Sequence, residues 1–222
     1  MSKAKVFILG ATGLTGMFLL QKALAHPDVS EVFIWVRKTT GISHPKLSET
    51  LVDFGHLSEN LTFPHATALC CCMGTTIKKA GSPAAFHKVD VTIPISVAQL
   101  GIQAGVKTFV LQSSVGADVT SGNFYLKCKG ELEEAIQALG FSSVSILRPS
   151  ILLGPRKEFR LGELIGKGIM RVISPLFVGK LRNYRSIQAE TVADAMLYAA
   201  LKSSPGKHIA EFSEIQRLSD LV

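Results

Sequence analysis

Short, continuous apolar runs alternate along the chain with longer segments whose apolar residues recur at helical spacing. A run apolar at every position suits a strand covered on both faces, so the alternation predicts parallel strands with helices on both sides of the sheet. Strands are expected at residues 5–9, 31–36, 50–53, 67–72, 108–112 and 143–147. Helices are expected at 14–25, at 93–104 ending on Gly105, and at 123–139 ending on Gly140, both glycines being placed as left-handed helix stops. Pro94 falls in the first turn of its expected helix, where a missing N–H does little damage. Beyond Pro149 the rhythm loosens into a Gly/Pro-punctuated segment to about Asn183, and then "AETVADAMLYAALK" returns as a helix. This order predicts the α/β class: one domain over 1–222 built on a doubly wound parallel sheet, with 150–185 as a small lid or substrate segment.

The chain has 222 residues, 47% hydrophobic and 18% charged, enough apolar material for a full core. Cys70, Cys71, Cys72 and Cys128 lack the paired spacing of a zinc site or a disulfide framework and read as small hydrophobes. The histidines show no pairing at ligand spacing either, so no metal is expected. The apolar run after Lys3 and Lys5 is too short for a signal peptide, and no stretch is long enough for a membrane span. A cytoplasmic protein is the expectation. The net charge of +7 is concentrated between Ile151 and Arg185, where eight basic residues face two acids. That segment lacks interleaved aromatics and any nucleic-acid module, so no nucleic-acid partner is expected, whereas a phosphate-bearing small ligand or a protein partner suits it. Oligomeric state is not legible.

The stretch "GATGLTG", residues 10–16, joins the first strand to the first helix. In that setting Gly10 permits a tight turn, Gly13 lets the backbone approach a pyrophosphate, and Gly16 lets helix and strand pack closely. The helix N-terminus then offers free N–H groups and a positive dipole end to phosphates. At the end of the next strand, where an acidic residue would meet free ribose hydroxyls, the chain has Arg37 and Lys38. Basic residues there suit a 2′-phosphate, which favours NADP(H) over NAD(H). Asp53 and Phe54 close the third expected strand and suit an adenine contact; a turn-capping Asp and a core Phe would look the same.

Tyr125 and Lys129 lie four apart on an expected helix, hence on one face. An ammonium beside a phenol favours the phenolate and lets the tyrosine pass a proton near neutral pH. Ser113 and Ser114 stand at the carboxyl end of the preceding strand, where open α/β sheets bind ligands, and a hydroxyl there can hold the same substrate oxygen.

With these motifs in order, the sequence resembles the short-chain dehydrogenase/reductase superfamily in its atypical G-x-x-G-x-x-G branch. More narrowly, it resembles the Tat-interacting-protein oxidoreductase family, whose relatives are often labelled nucleoside-diphosphate-sugar epimerase-like. The resemblance runs through "VFILGATGLTG", "CCCMGTTIKKAGSPAAFHKVD", "SSVGAD", "NFYLKCKGELE" and "LRPSILLGPRKEFRLGE". It implies a Rossmann-type fold in which Gly10 and Thr12, Gly13, Leu14 and Thr15 meet the phosphates of NADP(H), Arg37 and Lys38 its 2′-phosphate, and Met73 and Gly74 the ribose side. It makes Tyr125 the proton donor, Lys129 its partner and a ribose ligand, and Ser114 the orienting serine; it places Leu152 near the nicotinamide and Arg160 near a phosphate. The activity so implied is an NADPH-dependent oxidoreductase acting on a small carbonyl or activated double bond. Two alternatives are an NADPH-binding sensor or scaffold with little turnover, and a nucleotide-sugar epimerase or dehydratase. Against the latter stand Arg37 and Lys38 and the short tail after Ser213.

Overall fold

The computed structural model describes residues 3–57, 61–155, 183–202 and 204–222. Most of the expected 150–185 lid, including Arg160, lies outside the described residues. Seven parallel strands form the sheet in the order β3-β2-β1-β4-β5-β6-β9. These are β1 (Ala4–Leu9), β2 (Val29–Val36), β3 (Leu47–Leu51), β4 (Ala68–Cys71), β5 (Thr108–Gln112), β6 (Ser143–Leu147) and β9 (Gly206–Ala210); β7 (Leu152–Leu153) and β8 (Ile187–Gln188) form a separate small pair.

The continuous apolar runs are explained by two cores, one on each face of the sheet. Val6 and Ile8 of β1 join Ala68, Cys70 and Val110 beneath α1 (Leu14–Ala25), α6 (Ala189–Lys202) and α7 (Phe212–Ser219). Phe7 and Leu9 turn the other way, joining Leu69, Cys71, Phe109 and Leu111 beneath α4 (Ile93–Gln103) and α5 (Phe124–Ala138). Cys70, Cys71 and Cys128 are buried and Cys72 half-buried, all as free thiols. Burial disfavours the thiolate, pushing Cys71 up to about 11 and holding Cys70 and Cys72 well above the ordinary thiol range. From β1 the chain winds outward to β2 and β3, then returns through β4 to the opposite half. The reversal opens a crevice at the carboxyl ends of β1 and β4, where such sheets bind ligands.

Four details depart from the expectation. The third strand is Leu47–Leu51 rather than 50–53; it is an edge strand with three polar residues, Ser48, Glu49 and Thr50, between its leucines and with Leu51 65% exposed, so it carries no apolar run. Strand β9, paired in parallel with β6, escaped notice for the same reason, four of its five residues being exposed. Two short helices, α2 (Ile77–Ala80) and α3 (Pro83–His87), hide in Ser/Gly/Pro-rich sequence. Finally, helical structure does not begin at residue 93. It runs from α3 through a π turn at Lys88–Thr92 directly into α4. Pro94 has no N–H to donate to the carbonyl of residue 90, the bond an α-helix would make, and the preceding turn widens so that the Ile93 N–H donates to the Lys88 carbonyl.

Candidate active site

A cleft of about 1030 Å³ opens at the carboxyl ends of β1, β4 and β5, between the start of α1 and the start of α5. Thr12, Gly13, Leu14 and Thr15 form one wall. Gly10, at φ +86°, lies against the backbone just after β4: a Cβ there would stand 2.6 Å from the Met73 nitrogen. A Cβ on Gly16 would stand 2.1 Å from the Gly10 carbonyl oxygen, so α1 can start this close to β1 only with glycine there. Gly13 is the N-cap of α1, with no side-chain cap and no acidic residue in the first turn. The Thr15 hydroxyl is buried and has no hydrogen-bond partner among the described residues. Uncapped N–H groups, an orphaned hydroxyl and glycine-permitted backbone approach together fit a pyrophosphate.

The opposite wall carries Tyr125 and Lys129 on α5, whose first turn is fixed by the Asn123 side chain accepting from the Leu126 N–H at 3.2 Å. The Lys129 Nζ lies 5.8 Å from the Tyr125 ring centre. Tyr125 is 36% exposed toward the opening, whereas Lys129 is 4% exposed and ion-paired at 2.9 Å with Oδ1 of Asp90. The other oxygen of Asp90 accepts from the Thr75 N–H at 2.8 Å. Burial alone would push the Lys129 ammonium down. Asp90 acts the other way, by charge and by hydrogen bond, and with Tyr125 it holds the lysine above its ordinary value.

Of the two serines, Ser113 is on the cleft wall and donates to Glu133 at 2.5 Å. Ser114 is not among the residues lining the cleft, and its hydroxyl donates only a 3.3 Å bond to the Val115 carbonyl. Glu133 also accepts from Arg148 at 3.0 Å and 2.5 Å, a forked ion pair that ties the end of β6 to α5 behind the site. Glu133 is 2% exposed, so Arg148→Met would strand a buried carboxylate. Chemical denaturation of that variant is expected to show a loss of about 3–5 kcal/mol; a loss below about 1 kcal/mol would mean that water replaces the arginine.

Met73, Gly74 and Leu152 all line the cleft as expected. Arg37 and Lys38 are exposed immediately after β2, whose Trp35 is in register with Leu9, so they follow the strand end next to Gly10. They are not part of the cleft wall itself. Asp53 and Phe54 stand apart: the Asp53 carboxylate accepts from the Gly55 N–H at 2.8 Å and pairs with His56, while the Phe54 ring is buried in the core beneath α4. The partners His56 and Gly55 hold the Asp53 carboxyl below its usual range. Sequence reasoning missed Asp90, Glu133 and Gln112, whose buried side-chain oxygen has no hydrogen-bond partner among the described residues and which lines the cleft. Glu133 was detectable, as the next i+4 step of the Tyr125–Lys129 stripe; Asp90 was marked only as an acid within the apolar spacing of "AFHKVDVTIP".

Comparison with known proteins fits this geometry. The chain is 37% identical over 171 residues to "Protein HTATIP2" of Rattus norvegicus, covering 75% of this chain and 70% of that one. It is 30% identical over 211 residues to "Protein fmp52, mitochondrial" of Emericella nidulans, covering 92% and 90%. The fungal relatives are named as mitochondrial, which overturns the cytoplasmic expectation: lack of a secretory pattern does not exclude an organelle. Among solved structures, "MoeE5 in complex with UDP-glucose and NAD" superposes with a TM-score of 0.68 at 16% identity, covering 98% of this chain and 82% of that one. That likeness shows the same Rossmann-like fold. The model of the NAD dependent epimerase/dehydratase family matches residues 6–211, and the chain belongs to that family.

Proposed function

We propose that the protein is an NADP(H)-dependent oxidoreductase acting on a small carbonyl or activated double-bond substrate. The observation that carries this reading is that Tyr125 and Lys129 open onto the same cleft as the uncapped start of α1 and the orphaned Thr15 hydroxyl. The NAD in the solved MoeE5 complex supports a nicotinamide cofactor for the shared fold. When bound, the nicotinamide supplies or accepts hydride.

Every other task falls to the chain. The N–H groups at the start of α1 and the Thr15 hydroxyl hold the pyrophosphate, Gly10 lets it come close, and Met73, Gly74 and Leu152 flank the ribose and nicotinamide. Tyr125, at the mouth of the cleft, gives its proton to the substrate oxygen as charge develops there. Lys129 stays charged beside it and stabilises the phenolate left behind. The orienting hydroxyl falls to the Ser113–Ser114 pair: Ser113 is on the cleft wall with its proton donated to Glu133, whereas Ser114 has the more weakly held proton but lies off that wall.

Arg37 and Lys38 carry the choice of cofactor, because neither forms an ion pair among the described residues and both follow β2 at the cleft's adenosine side. Titration of the purified protein is expected to show preference for NADPH over NADH. In Arg37→Glu the NADPH affinity should fall at least ~10-fold, or ~1.4 kcal/mol, with NADH hardly affected. Equal loss for both nucleotides, or no preference in the parent protein, would remove NADP(H) from this account.

A further inference from the structure

Beyond the α1 wall, polar side chains of the cleft are largely bonded to the protein itself. Asp90 and Lys129 pair with each other at 2.9 Å, Ser113 donates to Glu133 at 2.5 Å, and the Thr76 hydroxyl caps α2 by accepting from the Lys79 N–H at 3.2 Å. Left to meet a ligand are the Thr75 hydroxyl and the Gln112 carboxamide, whose buried oxygen has no hydrogen-bond partner among the described residues. A sugar brings many hydroxyls, each of which loses free energy if it leaves water without a new partner. Such a wall serves a ligand with few polar groups better.

The apolar side chains of the same cleft are not all explained by folding. Met17 on α1 and Ile77 on α2 are each 45% exposed, both line the cleft, and neither packs into a core cluster. One exposed apolar side chain is ordinary on any surface. Two from separate elements that open on one cleft, and that the core does not use, form a surface for a ligand. Phe86 and Leu152 extend it. Phe86 is on α3, against which α2 packs, and its ring meets the Tyr125 ring at 63° with centres 6.1 Å apart. The apolar surface therefore runs up to the phenol.

We propose that this surface is a subsite for an apolar carbonyl compound, an alkyl or aryl ketone, aldehyde or enone, and that Met17 and Ile77 select such a compound over sugar nucleotides and other polar carbonyls. This rests on the reading of Tyr125 as the proton donor. The carbonyl oxygen accepts from the Tyr125 hydroxyl, and the apolar body covers Met17 and Ile77. Neither side chain belongs to the groups assigned to the pyrophosphate or to proton transfer, so substrate selection can be altered without altering the cofactor site.

The test reads binding, so its outcome is separable from that of the oxidoreductase reading, which turnover decides. Benzylacetone is titrated into the full-length protein in the presence of NADP⁺ and followed by ligand-observed NMR. Saturable binding is expected, with no displacement by UDP-glucose or by dihydroxyacetone. In the double variant Met17→Gln, Ile77→Gln the ketone affinity should fall at least ~10-fold while NADPH affinity stays within about twofold. Both positions are exposed and outside the core clusters, so the double variant is expected to fold as the parent does. Unchanged ketone affinity in the variant, displacement by UDP-glucose, or no saturable ketone binding in the parent overturns the proposal. Apolar ketones that bind through Met17 and Ile77 but are never reduced with NADPH would leave the subsite standing and remove the oxidoreductase reading instead.

Discussion

Tyr125→Phe is expected to lower turnover by about 10²–10⁴-fold while NADPH affinity changes less than about threefold. The substitution deletes one oxygen at a half-exposed position, so it removes the proton donor while leaving the ring contact with Phe86 available. The wall proposed to hold the pyrophosphate is on the other side of the cleft, at the start of α1, and does not include the phenol. Steady-state kinetics on a substrate found by screening carbonyl compounds, alongside nucleotide titration, separates the two effects. Full activity in Tyr125→Phe would refute the proposed chemistry. Saturable NADPH binding with no turnover of any substrate in the parent would instead favour a sensor or scaffold.

Among the described glycines an added Cβ meets its closest neighbour at Gly16, and Gly16→Ala is expected to be strongly damaging. Its Cβ would lie 2.1 Å from the Gly10 carbonyl oxygen and 2.9 Å from the Ala11 Cα, both backbone atoms with nowhere to move. Gly10 in turn lies tightly against Met73, so relief at one place presses on the segment just after β4 at the next. The helix must back away from β1, which breaks the turn that aims its N–H groups into the cleft. We expect a stability loss of about 3 kcal/mol or more, measured by denaturant unfolding, and loss of NADPH binding in whatever folded protein remains. Alanine at Gly41, where nothing lies within 4 Å but φ is +71°, is the control for backbone strain without crowding.

Sequence legibility followed burial. β5 and β6, buried on both faces, have the bounds that their apolar runs predicted, whereas β3 and β9 at the sheet edges have little apolar signal to read. Gly105 and Gly140 stop their helices at positive φ, as expected. The glycine loop and the Tyr125–Lys129 pair were legible because their spacing expresses local geometry, a turn in one case and one helical turn in the other. Asp90 was not, because its role arises from a contact across 39 residues of chain and from a π turn that no apolar period announces. The Ser113–Glu133–Arg148 link is likewise tertiary: three elements must assemble before it exists. Asp53 holds its turn through the Gly55 N–H and Phe54 packs in the core, an arrangement that the sequence could not separate from an adenine contact.

The most direct test of the central claim, that this cleft holds a nicotinamide dinucleotide against Tyr125, is NADPH titration read by energy transfer from Trp35, the chain's single tryptophan, near the end of β2. The account predicts saturable transfer with one nucleotide per chain, displaced by NADP⁺. A folded protein whose Trp35 emission shows no saturable response, with no binding by calorimetry either, would contradict it.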